Sequence, residues 1–146
     1  MHQGPKLPDS ATLPKFIEQE AIASVEAETG EIAGIRIGNS AYFIAYIKAA
    51  TNCGSGGCRA QIWKRDGDQY VRQQSLPVGY LPITMLPDID HGMPRLGVSV
   101  YDKNSNQMMV LPVAFDGQNY ALSDWDQLLS ERSGEVVLTS EMLKEF

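Results

Sequence analysis

The chain has 146 residues, enough for one domain with a real core and short for two. Hydrophobic residues make up 43% and charged residues 21%, a globular balance that excludes a disordered chain. The formal charge of −6 disfavours nucleic acid, whose phosphates call for a basic face, and suits a basic protein partner.

In chain order, Met1 to Asp9 carries glycine and two prolines and reads as a flexible tail, followed by one domain over residues 10–146. Ser10 or Thr12 can cap a helix with Pro14 in its first turn, where a missing N–H costs little. Leu13, Phe16, Ile17, Ala21 and Val25 then recur on one helical face, and Gly30 supplies a stop. From Glu31 the period falls to two. Ile35 and Ile37 alternate with polar or small residues, and Tyr42 to Ile47 runs as a buried strand.

The only two cysteines close Asn52-Cys53-Gly54-Ser55-Gly56-Gly57-Cys58, and three of the four residues between them are glycine. Glycine permits the positive φ angles of a tight turn, and such a turn can bring the two Cβ atoms to the ~3.8 Å of a disulfide. A redox pair is usually spaced C-x-x-C, and a zinc site would need both His2 and His91. Two unpaired thiols packed as small hydrophobes are the plain alternative. No apolar signal segment follows Met1, which leaves a cytosolic protein or an exported one whose signal has been removed; a disulfide implies an oxidising compartment, so the expectation is the second, a periplasmic protein. No run approaches the ~18 apolar residues of a membrane span.

Arg59 to Lys64 and Gln69 to Gln73 flank Asp66-Gly67, a hairpin signal. Tyr80 to Leu86 is a further strand, with Pro82 suggesting an edge or irregular course. Leu96 to Tyr101 and Gln107 to Phe115 are joined by a polar turn, and Asp116-Gly117 leads into Tyr120 to Leu122. Ser123 can cap a short helix through Trp125, Leu128 and Leu129, while Val136 to Phe146 fits either a strand or a final helix. The expected fold is mainly β (α+β): an antiparallel meander with an N-terminal helix and a short C-terminal helix. Trp63, Trp125, Tyr42, Tyr46 and Phe115 are assigned to the core by their spacing.

Residues 58 to 122 resemble a blade of the FG-GAP type of β-propeller. The likeness is carried by Ile62 to Tyr70 as a blade hairpin, Asp88 to Leu96 as the acidic loop entering a strand, and Phe115 to Tyr120 as the closing turn. In that family the loop resembles D-x-N-x-D-G-x-x-D and holds calcium. Here it is one residue short before Gly92, and Arg95 stands where the last carboxylate would be, so no metal or other cofactor is expected. A single blade cannot close a propeller. One sheet with a short disulfide is also similar in architecture to the periplasmic immunity proteins of type VI secretion systems, which block peptidoglycan amidase effectors. That resemblance implies a protein partner, a secreted cell-wall hydrolase.

Catalytic groups are scarce. A Ser55–His91–Asp90 triad can be written, but strict alternation of the strands puts Ser55 and His91 at opposite ends of the sheet. Gly54-Ser55-Gly56 is not the G-x-S-x-G elbow, and Asp66, Asp88, Asp90 and Asp116 read as turn formers. The chain is therefore read as a binding protein and not an enzyme. One set of connections offers Ser55, Gly56, Tyr80, Asn104 and Ser105 to a partner, and the opposite set offers Asp90 and His91. The expected function is inhibition by a stiff loop inserted into a partner's active site. The alternative is an envelope structural or ligand-binding protein with a degenerate calcium blade.

Overall fold

The structure, a computed structural model, describes residues 12–130 and 133–146. The tail expected over residues 1–9 and the cap expected at Ser10 lie outside the described residues. Among the described residues, eleven strands follow one α-helix: α1 (Lys15–Ser24), then β1 (Glu31–Arg36), β2 (Tyr42–Lys48), β3 (Cys53–Gly54), β4 (Gly57–Asp66), β5 (Gln69–Asp90), β6 (Met93–Asp102), β7 (Gln107–Phe115), β8 (Tyr120–Leu122), β9 (Leu129–Ser130), β10 (Glu135–Leu138) and β11 (Lys144–Glu145). All pairings are antiparallel, in the order β11-β1-β2-β4-β5-β6-β7-β8, with β10 on β5, β3 on β4 and β9 on β7. The mainly-β meander with an N-terminal helix is thus observed.

The 22-residue strand β5 organises the molecule. Its first part, to Gly79, pairs with β4, and its second part, from Tyr80, pairs with β6 and β10. The sequence suggested two strands parted by a connection near residues 76–79. Instead Gly79 takes φ +111°, a conformation open to glycine, and the strand bends without ending. The sheet folds over at this bend, so its two halves enclose one apolar core. Ile35, Ile44 and Ile62 from one half join Leu96, Val98 and Leu111 from the other. The Tyr42 and Phe115 rings meet across the halves at 5.4 Å, and Gln74 exchanges two hydrogen bonds with the Tyr120 backbone.

α1 covers the outer face of the first half-sheet. Ile17 and Ala21 are fully buried there, against Phe43 and Trp63 for the first and Ala45 and Ile47 for the second. Buried Gln61 beneath the helix is satisfied: its amide donates to Ser24 Oγ at 2.7 Å, and its carbonyl accepts from Trp63 Nε1 at 2.9 Å. Among the described residues, no buried side-chain polar atom lacks a partner.

Three local expectations differ from what is observed. Thr12 does not cap α1, because its backbone bridges to Ile35. The helix ends at Ser24, well before Gly30. The bare backbone of Gly30 serves packing instead: a Cβ there would lie 2.6 Å from the Phe146 ring. The expected C-terminal helix is one 3-10 turn, Trp125–Gln127, because Leu128 returns to extended geometry and Leu129–Ser130 pair with β7. The segment from Val136 onward pairs as β10 and β11, and Leu138 is fully buried.

Candidate functional site: the disulfide hairpin and its groove

Cys53 and Cys58 are joined as a disulfide, with Cα atoms 4.0 Å apart. They face each other in the β3–β4 ladder, as do Gly54 and Gly57, so Ser55-Gly56 forms a two-residue hairpin tip. Nothing lies within 4 Å of a Cβ built on Gly54 or Gly56, so the tip projects into open space.

The base of the hairpin is fixed by contacts beyond the sulfur bridge. Gly57, at φ +107°, lies so close to the bend in β5 that a Cβ would sit 2.1 Å from the Gly79 carbonyl oxygen. Tyr80 Oη donates to the Ser55 carbonyl at 2.7 Å, and Tyr46 Oη donates to the Gly79 carbonyl at 2.8 Å. Burial pushes the Tyr46 phenol up from its ordinary pKa, which keeps it a donor. Asn52 Nδ2 donates to the carbonyls of Ile47 and Arg59. Tyr80, which the sequence offers to a partner, thus also braces the hairpin through its hydroxyl.

Beside the hairpin lies a groove of about 440 Å³. The disulfide and Gly56 form one wall, Val100 and Leu111 contribute apolar surface from the core, and Leu122 and Trp125 form the far wall. Trp125 is 53% exposed, contrary to the core assignment its spacing suggested; Trp63, Tyr46 and Phe115 are buried as expected and Tyr42 is half-buried. The missed signal was local. Trp125 stands between Asp124 and Asp126, and although Leu122, Leu128 and Leu129 recur at helical spacing around it, the segment forms only one 3-10 turn and no helical face that could bury them together.

The other named residues divide between the two ends of the fold. Tyr80 pairs with Ser99 in β6, so the β6–β7 turn bearing Asn104 and Ser105 lies beyond the hairpin end. There the Asn104 N–H donates to Asp102, and both the N–H and the hydroxyl of Ser105 do the same. The Ser105 hydroxyl, followed by those two N–H groups, holds the Asp102 carboxyl below its ordinary range. Ser105 is therefore committed within its own turn, whereas the Ser55 hydroxyl has no partner among the described residues.

Asp90 ends β5, ten residues past Tyr80, and His91 follows it in the turn. His91 takes φ +49° and lies against Gly117 of the next turn. Arg95 forks onto Asp90 at 2.8 and 2.9 Å and reaches Asp88 at 3.3 Å. Both carboxylates that a calcium ion would need are thus engaged with a fixed cation. Among the described residues, no three His, Cys, Asp or Glu side chains converge as a metal site. The strand also separates Ser55 from His91, so the written triad is not assembled. Among the described residues, no helix is long and apolar enough to cross a membrane.

No protein-family model matches the chain, and neither does any curated protein or solved structure.

Proposed function

We propose that this chain is an exported, periplasmic binding protein that inhibits another protein by inserting its Cys53–Cys58 hairpin into the partner's active-site cleft. The partner class proposed is a secreted peptidoglycan amidase. The observation that carries this reading is a projecting tip, Ser55-Gly56, whose base is held at once by a disulfide, a tyrosine hydroxyl and backbone contact with β5. Such a loop presents a hydroxyl and open backbone groups in a single arrangement, so little ordering cost opposes capture. The groove with Trp125 offers an aromatic contact next to the plug, the residue type that most often dominates an interface. The disulfide supports an oxidising compartment.

The test uses Gly56→Lys, which places a bulky charge where a side chain meets no neighbour and should leave the melting temperature unchanged. Turnover of purified cell-wall amidases on peptidoglycan is measured with and without the protein. The expected result is stoichiometric inhibition of a cognate enzyme by the parent and at least about a tenfold loss of potency for Gly56→Lys and Trp125→Ala. A tip variant that inhibits as well as the parent would overturn the insertion mechanism. A broad amidase panel left untouched by the parent would overturn the partner class.

A further inference from the structure

The opposite end of the first half-sheet carries a second concavity, about 760 Å³, distinct from the hairpin groove. It opens between the chain entering α1, the β1–β2 turn and the β4–β5 hairpin. The strand register explains its contents. Arg36 pairs with Phe43 and Phe43 with Trp63, so these three share the outer, helix-bearing face. Arg65, two residues beyond Trp63, lies on the same face, and it pairs with Tyr70 in β5. The cleft is therefore lined by two guanidinium groups and the Tyr70 ring, and among the described residues no carboxylate lines it.

Both arginines are held in place with donors left over. Arg36 uses Nε on the Ser40 carbonyl at 2.6 Å and Nη2 on the Asn39 carbonyl at 3.0 Å, which leaves its Nη1 hydrogens unused. Arg65 uses Nε on the Gly67 carbonyl at 3.2 Å, which leaves both terminal nitrogens. Neither is in an ion pair among the described residues; Asp88 and Asp90 are both engaged by Arg95 and do not line the cleft. The Tyr70 ring is fixed between Phe16, stacked at 6.2 Å, and Phe43, edge-on at 5.8 Å. In a chain of net charge −6, two oriented guanidiniums beside an ordered aromatic wall are not a by-product of overall basicity.

We infer that this cleft binds a small organic oxyanion, a carboxylate or a phosphate ester. Its charged head would sit on Arg36 and Arg65, and its apolar body would lie along Tyr70. Guanidinium recognises both head groups through paired N–H donors. The volume fits a small molecule and is far larger than a single ion needs. The cleft lies at the other end of β2 and β4 from the hairpin, so it does not depend on the inhibitor reading.

Benzoate and phenyl phosphate, titrated separately and followed by amide and arginine side-chain NMR shifts, provide the test. Saturable shifts at Arg36, Arg65 and Tyr70 are expected with at least one probe, and which probe saturates identifies the head group. Arg65→Gln, which disturbs only a bond to the neighbouring turn, should weaken binding by about tenfold or more. Arg36→Gln should do likewise if its melting temperature shows that the β1–β2 turn survives. Lys48→Gln, a cation lost at the far end of β2, should bind as the parent does. Equal binding by parent and Arg65→Gln, or no saturable shift with either probe, would overturn the assignment, and Gly56→Lys should leave it unaffected in every case.

Discussion

At the scale of single residues, Arg95 is the most consequential charged side chain. Its hydrogen bond to Asp90, followed by the attraction between their charges, holds that carboxyl below its ordinary range. In the unfolded chain Asp90 should titrate near the usual value of about 3.9. The folded value is lower, so the interaction stabilises the fold above about pH 4 and is lost as pH falls through the folded value. Arg95→Ala should therefore cost about 1 kcal/mol at neutral pH, discounted for the partial exposure of the pair. Urea titrations at pH 7 and pH 3 would check this, and a gap of equal size at both values would refute it. Arg95 was legible in the sequence as the residue that spoils a calcium loop. Its ion pairs with the two acids that remain in that loop, Asp88 and Asp90, were not, since they depend on β5 and β6 laying residues 90 and 93 opposite each other.

At the scale of elements, the helix and most strands could be read from periodicity, because Leu13, Ile17 and Ala21 mark one helical face and alternation marks β1. What periodicity could not supply was continuity. Pro77, Gly79 and Pro82 look like breaks, yet β5 runs through all three because the bend they allow lies where the sheet must fold over. The disulfide-closed turn, by contrast, was legible from Cys53 and Cys58 with glycines between them, although its pairing as a two-residue hairpin was not. The groove beside it was not, since Trp125 approaches the disulfide only through the folding of distant strands. α1 contributes chiefly through Ile17, so Ile17→Ala should destabilise the protein by about 3 kcal/mol. Phe16→Ala, at a half-exposed position, should cost distinctly less. Denaturant midpoints at unchanged slope would show the difference, and the reverse order would mean that α1 docks differently.

At the scale of the whole molecule, one buried cluster draws on both half-sheets, with Leu138 from β10 completing it. Neither half could keep its apolar face covered without the other. Unfolding should therefore be a single cooperative event. The two tryptophans report from different places, Trp63 beneath α1 and Trp125 at the groove between the halves. Chemical denaturation followed by tryptophan fluorescence and by far-ultraviolet circular dichroism should give coincident curves. Two separated transitions would mean that the halves fold independently.

The backbone contact between Gly57 and Gly79 leaves no slack between the projecting tip and the strand that both halves share. A protein seizing Ser55 would grip a peg rooted in the entire body, not a tether hung from its rim. Swapping the tip residues should thus alter what is recognised while leaving the socket that holds the peg unchanged.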